Sequence, residues 1–267
     1  MIKIDIFKKD IIFGPDFNSK LLIPKDNLLP EFWKNGNLSP IVSRKLMAIA
    51  DDIIKSLDFD FDVEDVIITG SIASYNWHEL SDIDLHIMLD FEKIDDNFAL
   101  VKRMLDQTRI NWNKKHNIFI HDKEVELYFQ HYTEPHEANG IWSLTLEKWI
   151  AEPVKLNPEI DIKTTEKKAE AIAQSIEHLF EIFEEEKYKE AYDYSIKLKN
   201  KIAKMRKTGL SKEGIYSPEN LAFKMLRNSK YLEKLNFLKI ESYNKMMSLT
   251  TESKENNFND IWKNYIS

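Results

Sequence analysis

The pattern of apolar and polar positions changes character near residue 160. Upstream of that point it alternates between strand and helix rhythms. Residues 2–6 alternate apolar and charged side chains, and Pro15, Pro24 and Pro30 follow. This predicts a strand or two, then extended chain as far as Gly36. Ser39-Pro40 opens a helix, with serine as N-cap and proline at the first helical position. Ile41, Leu46, Ile49, Ile53 and Ile54 keep helical spacing to about Leu57. The stretch VIITGSIASYNWHELSDIDLHIML, residues 66–89, then reads as a buried strand, a glycine turn, a short helix or loop, and a second buried strand. A charged connection at 90–96 leads to an amphipathic helix over 98–115, carried by Leu100, Val101, Met104, Leu105 and Ile110. Residues 118–120, a turn at 121–123 and residues 124–130 form a hairpin. In its second strand Val125, Leu127 and Phe129 share one face, and Glu124, Glu126 and Tyr128 share the other.

Residues 135–158, with Trp142 and Trp149, read as a connector that covers the sheet or crosses between lobes. Beyond residue 161 the rhythm is helical throughout, over 164–186, 188–207, 217–228 and 231–249. Ser217-Pro218-Glu219 repeats the capping logic of Ser39-Pro40, and Gly209 and Gly214 bracket the break between the second and third of these helices. The tail from 250 to 260 is polar, with Ile261, Trp262 and Tyr265 placed to dock back. The predicted fold class is α+β: a small mixed sheet backed by helices, followed by an all-α C-terminal helical domain. The corresponding division is a first domain over 1–135 with its core at 39–130, a connector over 136–162 and a helical domain over 163–267.

Composition narrows the function classes. Among 267 residues there is no cysteine, which excludes disulfides, thiolate zinc sites and a cysteine nucleophile and fits a reducing cytoplasm. The first residues are too charged for a signal peptide, and no apolar run suits a membrane span. The net charge of −7 argues against nucleic acid bound over the whole surface. Charge is unevenly placed, however: residues 159–190 are acid-rich and residues 197–239 are rich in lysine and arginine, a region suited to an anion.

The chemistry concentrates at Gly70-Ser71 and Asp82-Ile83-Asp84. Alternate strand residues share a face, so the two aspartates project together, about 6.6 Å apart along the backbone. Carboxylates flanked by Ile83, Leu85 and Ile87 are costly unless a cation neutralises them. Gly70 permits a tight turn after the first strand, where backbone N–H groups and the Ser71 hydroxyl suit phosphate oxygens. Hard oxygen donors favour Mg²⁺ or Mn²⁺, and a two-ion arrangement suits in-line displacement at phosphorus.

This segment resembles the glycine-serine and Asp-x-Asp signature of the nucleotidyltransferase superfamily related to DNA polymerase β. The resemblance covers residues 39–130, and the whole pattern is similar to uncharacterised nucleotidyltransferase-like proteins of phage genomes. It implies an enzyme that transfers a nucleoside monophosphate from a nucleoside triphosphate (NTP) donor, such as ATP, to a hydroxyl, using two Mg²⁺ or Mn²⁺ ions. Asp82 and Asp84 are the implied metal ligands. A third carboxylate from a later strand completes the set and serves as base; Glu126 matches the expected apolar–acid–apolar pattern, with Glu124 as the alternative. The implied nucleotide-binding residues are Gly70, Ser71, Lys201 and Lys204. The lysines lie at helical spacing with Lys197 and, like Lys224 and Arg227, equally suit a solvated helix face.

Other candidates divide between chemistry and structure. His86 either touches a phosphate or is a hydrogen-bonded histidine of the sheet. Tyr75 and Trp77 either stack a base or fill the core. The acceptor, whether an RNA end, a protein or a small molecule, is not specified. The competing function is a catalytically silent nucleotide-binding or interaction module. A two-metal phosphohydrolase would carry histidine–aspartate clusters that the chain lacks.

Overall fold

The computed structural model describes residues 17–57, 61–136 and 138–249. The strand expected over residues 2–6 and the docking tail beyond 250 lie outside these residues. The described chain forms two compact units, Lys20–Glu159 and Ile160–Leu249, the latter joined by Phe17–Ser19.

In the first unit, β1 (Trp33–Lys34) and β2 (Asn37–Leu38) form a small hairpin. Helix α1 spans Pro40–Ser56 and starts at Pro40 as expected, although the Ser39 side chain makes no capping bond. Its buried stripe is Val42, Leu46, Ala50 and Ile53, whereas Ile41 is 63% exposed. The stripe therefore runs one residue away from the predicted start. Next come β3 (Val63–Thr69), β4 (Ile83–Leu89), the short α2 (Phe91–Ile94) and α3 (Phe98–Lys115). Asn97 caps α3, its side chain accepting from the Leu100 N–H. Strands β5 (Phe119–Ile120) and β6 (Lys123–His131) make the expected hairpin. Its turn is built from His121 and Asp122, both at positive φ, as a two-residue hairpin requires.

The stretch expected to be a connector supplies two further strands, β7 (Ile141–Ser143) and β8 (Lys148–Ala151). They complete a six-stranded sheet of order β5-β6-β4-β3-β7-β8, in which β4 and β6 run parallel and the remaining neighbours antiparallel. The two tryptophans concealed these strands. Trp142 packs into the main core, while Trp149 stacks on Trp33 at 4.4 Å and donates from Nε1 to the Gly36 carbonyl at 2.7 Å.

The sheet has unlike faces. Val66, Ile68, Ile83, Leu85, Ile87, Val125, Leu127 and Phe129 join the α1 stripe and Val101, Leu105 and Trp112 of α3 in one core. The opposite face carries a small apolar patch, Ile67, Met88 and Ile141, and is otherwise polar along β4 and β6. Asn113 of α3 binds the outer edge of β6: its Oδ1 accepts from the Leu127 N–H and its Nδ2 donates to the Leu127 carbonyl, both at 3.1 Å.

The second unit is helical: α4 (Ile162–Glu184), α5 (Tyr188–Glu213), α6 (Pro218–Asn228) and α7 (Tyr231–Met247). Asp161 caps α4, accepting from the Thr164 N–H, and Ser217 caps α6, accepting from the Asn220 N–H. Helix α5 continues through Gly209 instead of breaking there. A Cβ at 209 would lie 2.6 Å from both the Glu219 Cβ and the Ser217 Oγ, so this glycine serves close approach to α6. The helix ends at Gly214. Among the described residues no helix is long and apolar enough to cross a membrane.

Candidate active site

Strand β3 ends at Thr69, and Gly70 follows at φ +74, a conformation that L side chains rarely adopt. A Cβ at this position would sit 1.8 Å from Asp84 Oδ2. Gly70 is thus the residue against which the Asp84 carboxylate lies. Residues 70–81 form successive turns, so the short helix offered as one option is absent and no helix dipole acts here. The Ser71 hydroxyl donates to Ser81 Oγ at 2.8 Å, and the same oxygen accepts from the His78 N–H at 2.9 Å. Ser71 therefore also braces the two ends of its own loop.

Lys123 holds this loop from below. It is buried, and its Nζ donates to the carbonyls of His78 at 2.9 Å and Glu79 at 2.7 Å. Burial pushes its pKa down, while Glu31, Glu79 and Asp122 oppose that shift. Lys123→Met keeps the bulk but leaves two carbonyls unbonded. The variant is expected to lose about 1–3 kcal/mol, read as a lower midpoint in urea with an unchanged slope. A midpoint equal to that of the parent protein would show that the loop does not depend on this anchor.

Asp82 sits one residue before β4, and Asp84 is its second residue. In the parallel register Asp84 faces Glu126 of β6, and on its other side it faces Thr69. The structure brings Asp82, Asp84 and Glu126 together: each is half-buried, and one carboxylate oxygen from each lies within 4.8 Å of the others. Glu124, the alternative third acid, is exposed and pairs across the hairpin with Phe119. The donor set is all carboxylate oxygen, close enough to share one cation, which fits Mg²⁺ or Mn²⁺ and does not resemble a zinc site.

On the same face, two residues on, the register pairs His86 with Tyr128, and two further on it pairs Met88 with Gln130. The Tyr128 hydroxyl donates to Glu126 Oε2 at 2.6 Å, and its ring stacks on His86 at 4.8 Å. Burial first, then the neighbouring carboxylates of Glu126, Asp84 and Asp82, raise the Tyr128 pKa and keep the phenol protonated. The Arg109 guanidinium lies 4.8 Å from the same ring's centre and bonds Asp106 at 3.2 Å. His86 Nδ1 is 2.8 Å from Gln130 Oε1, and burial pushes the ring down to about 4, so it is neutral near pH 7. Of the two options for His86, the geometry gives the hydrogen-bonded sheet residue.

Trp77 belongs to the structural side as well: its Nε1 donates to the Asn27 carbonyl at 2.8 Å, and its ring packs on the main core. Tyr75 lines a cavity of about 400 Å³ with Trp33, Trp149, Asp26 and Glu152. In the helical unit, Lys201 and Lys204 are both exposed on α5. In the same unit Lys224 is pushed down to about 8 by burial and by Arg227 and Arg206.

Sequence reasoning passed over Tyr128, Arg109 and Lys123. The period-2 pattern that puts Glu124 and Glu126 on one face of β6 also puts Tyr128 there, so that residue was within reach. Arg109 and Lys123 act across the fold on partners that no local pattern names.

A family model described as a nucleotidyltransferase domain matches residues 50–216, more than half of the chain. Comparisons with curated proteins and with solved structures give no match.

Proposed function

The chain belongs to the nucleotidyltransferase domain family, and on that footing we propose that it is an active enzyme dependent on Mg²⁺ or Mn²⁺. It moves a nucleoside monophosphate from an NTP to a hydroxyl acceptor and releases pyrophosphate. The observation that carries this reading is the uninterrupted carboxylate set: Asp82, Asp84 and Glu126 within 4.8 Å, beside the turn at Gly70. A module that had kept only the fold would have no reason to retain three mutually repelling acids.

In this proposal Asp82, Asp84 and Glu126 hold the divalent cations. When bound, such cations neutralise charge on the triphosphate and on the attacking and leaving oxygens. The acceptor oxygen bonds to the α-phosphorus, and the bond from that phosphorus to the bridging oxygen breaks. Pyrophosphate leaves with the electron pair, and the hydroxyl proton passes to the carboxylate set, with Glu126 as the assigned base. The Gly70 turn and Ser71 hydroxyl are assigned to phosphate oxygens. The reaction needs placement and charge neutralisation more than covalent help, which suits a site built from acids and a backbone turn.

The test is to incubate the protein with Mg²⁺ or Mn²⁺ and each α-labelled NTP, alone and with cellular RNA, protein or small-molecule fractions. Label should move to one acceptor fraction as pyrophosphate appears, and chelation should stop it. Absence of transfer with every nucleotide, metal and fraction would overturn the enzymatic reading in favour of the silent module.

A further inference from the structure

Glutamate is an awkward choice beside two aspartates, because it carries one more rotatable bond to be frozen before its oxygens are placed. Here the freezing device is visible. Glu126 and Tyr128 lie two residues apart on the same face of β6, and the Tyr128 hydroxyl reaches back to Glu126 Oε2 at 2.6 Å. That is the length of a charge-assisted O–H···O⁻ bond, stronger than a neutral pair. The ring that carries the hydroxyl is fixed in turn. His86 stacks on it at 4.8 Å with an interplanar angle of 25°, and the Arg109 guanidinium lies 4.8 Å from its centre. His86 is itself tied to Gln130 at 2.8 Å, and Arg109 to Asp106 at 3.2 Å. A chain of named contacts thus runs from helix α3 and the far end of β6 to one carboxylate oxygen.

We propose that Tyr128 is a positioning residue: its hydroxyl holds Glu126 through Oε2, leaving Oε1 without that bond as the oxygen that serves the carboxylate cluster. This inference rests on the reading of Asp82, Asp84 and Glu126 as a divalent-cation site. Removing the hydroxyl leaves the carboxylate present and free to turn, so the cluster loses preorganisation without losing charge. Supporting groups of this kind affect cation affinity by about 10–100-fold.

The experiment measures Mn²⁺ binding to the full-length protein by electron paramagnetic resonance, without nucleotide, for the parent protein, Tyr128→Phe, Glu126→Asp, the double variant and Asp84→Asn. Tyr128→Phe should weaken Mn²⁺ binding about 10–100-fold, with a circular dichroism spectrum close to that of the parent protein. In the Glu126→Asp background the shorter side chain no longer meets the hydroxyl, and adding Tyr128→Phe should change affinity less than twofold. Equal losses in both backgrounds would show that the tyrosine does not act through Glu126 and would overturn the proposal. So would a Tyr128→Phe affinity within twofold of the parent protein. If the parent protein and Asp84→Asn bind Mn²⁺ equally, or neither binds it, the cation-site reading itself falls and takes this inference with it. In turnover, the loss should appear in kcat, with KM for the NTP little changed.

Discussion

Asp84→Asn is expected to abolish most nucleotidyl transfer while leaving the metal-free protein slightly more stable. Asparagine has the shape of aspartate, so the packing of β4 between β3 and β6 survives the change. What disappears is one of three negative charges whose oxygens lie within 4.8 Å. Weakening the hold on cations that would offset the negative charge developing at phosphorus should cost about 10²–10³-fold in kcat, the scale of losing one such electrostatic contact. Without cations the same three charges repel one another, so neutralising one relieves the fold. The gain is at most about 1 kcal/mol, because all three groups remain partly hydrated. The opposed signs are the informative part. Steady-state transfer should collapse, the urea midpoint in chelator should rise, and saturating Mn²⁺ should stabilise the parent protein more than the variant. An Asp84→Asn variant with parental turnover would remove Asp84 from the active centre.

Gly70→Ala is expected to damage the site as badly, by a different route. At φ +74 an alanine is strained, which costs about 1–3 kcal/mol. Its Cβ would also lie 1.8 Å from Asp84 Oδ2, so the carboxylate must leave its position. Displacing a reacting-site group by about 1 Å costs about 10²-fold in rate. The two contributions separate in a double-mutant cycle. In an Asp84→Ala background the nearest remaining side-chain atom of residue 84 is the Cβ, at 3.4 Å, and there Gly70→Ala should cost only the backbone strain. Thermodynamic coupling between the two positions of less than about 0.5 kcal/mol would show that the glycine is needed for its backbone alone.

Much of the fold was legible because its information is local. Period-2 alternation marked β4 and β6, and the family resemblance pointed to Glu126 as the third acid; the parallel register sets Asp84 opposite Glu126. The Ser-Pro signals located the starts of α1 and α6. What was missed depends on partners distant in sequence. Strands β7 and β8 are only three and four residues long, and their tryptophans pack on Trp33 more than a hundred residues upstream. Gly209 carries the local signal of a break, whereas its role is set by a neighbour in space, Glu219 of the next helix, which presses against it. Lys123 read as a turn residue, although its amine is the anchor of the 70–81 loop.

The amide of Asn113 has a consequence for the edge of the strand that carries Glu126. Strand β5 pairs with the first two residues of β6, and the Ile118 carbonyl just before it accepts from the Val125 N–H at 2.9 Å; an uncovered edge beyond that point would suit recruitment by an extended peptide. Asn113 fills both hydrogen-bonding positions of Leu127, one residue past Glu126, as a single rung of a strand would. A visiting chain finds that rung already taken and cannot zip alongside the strand that bears the third acid.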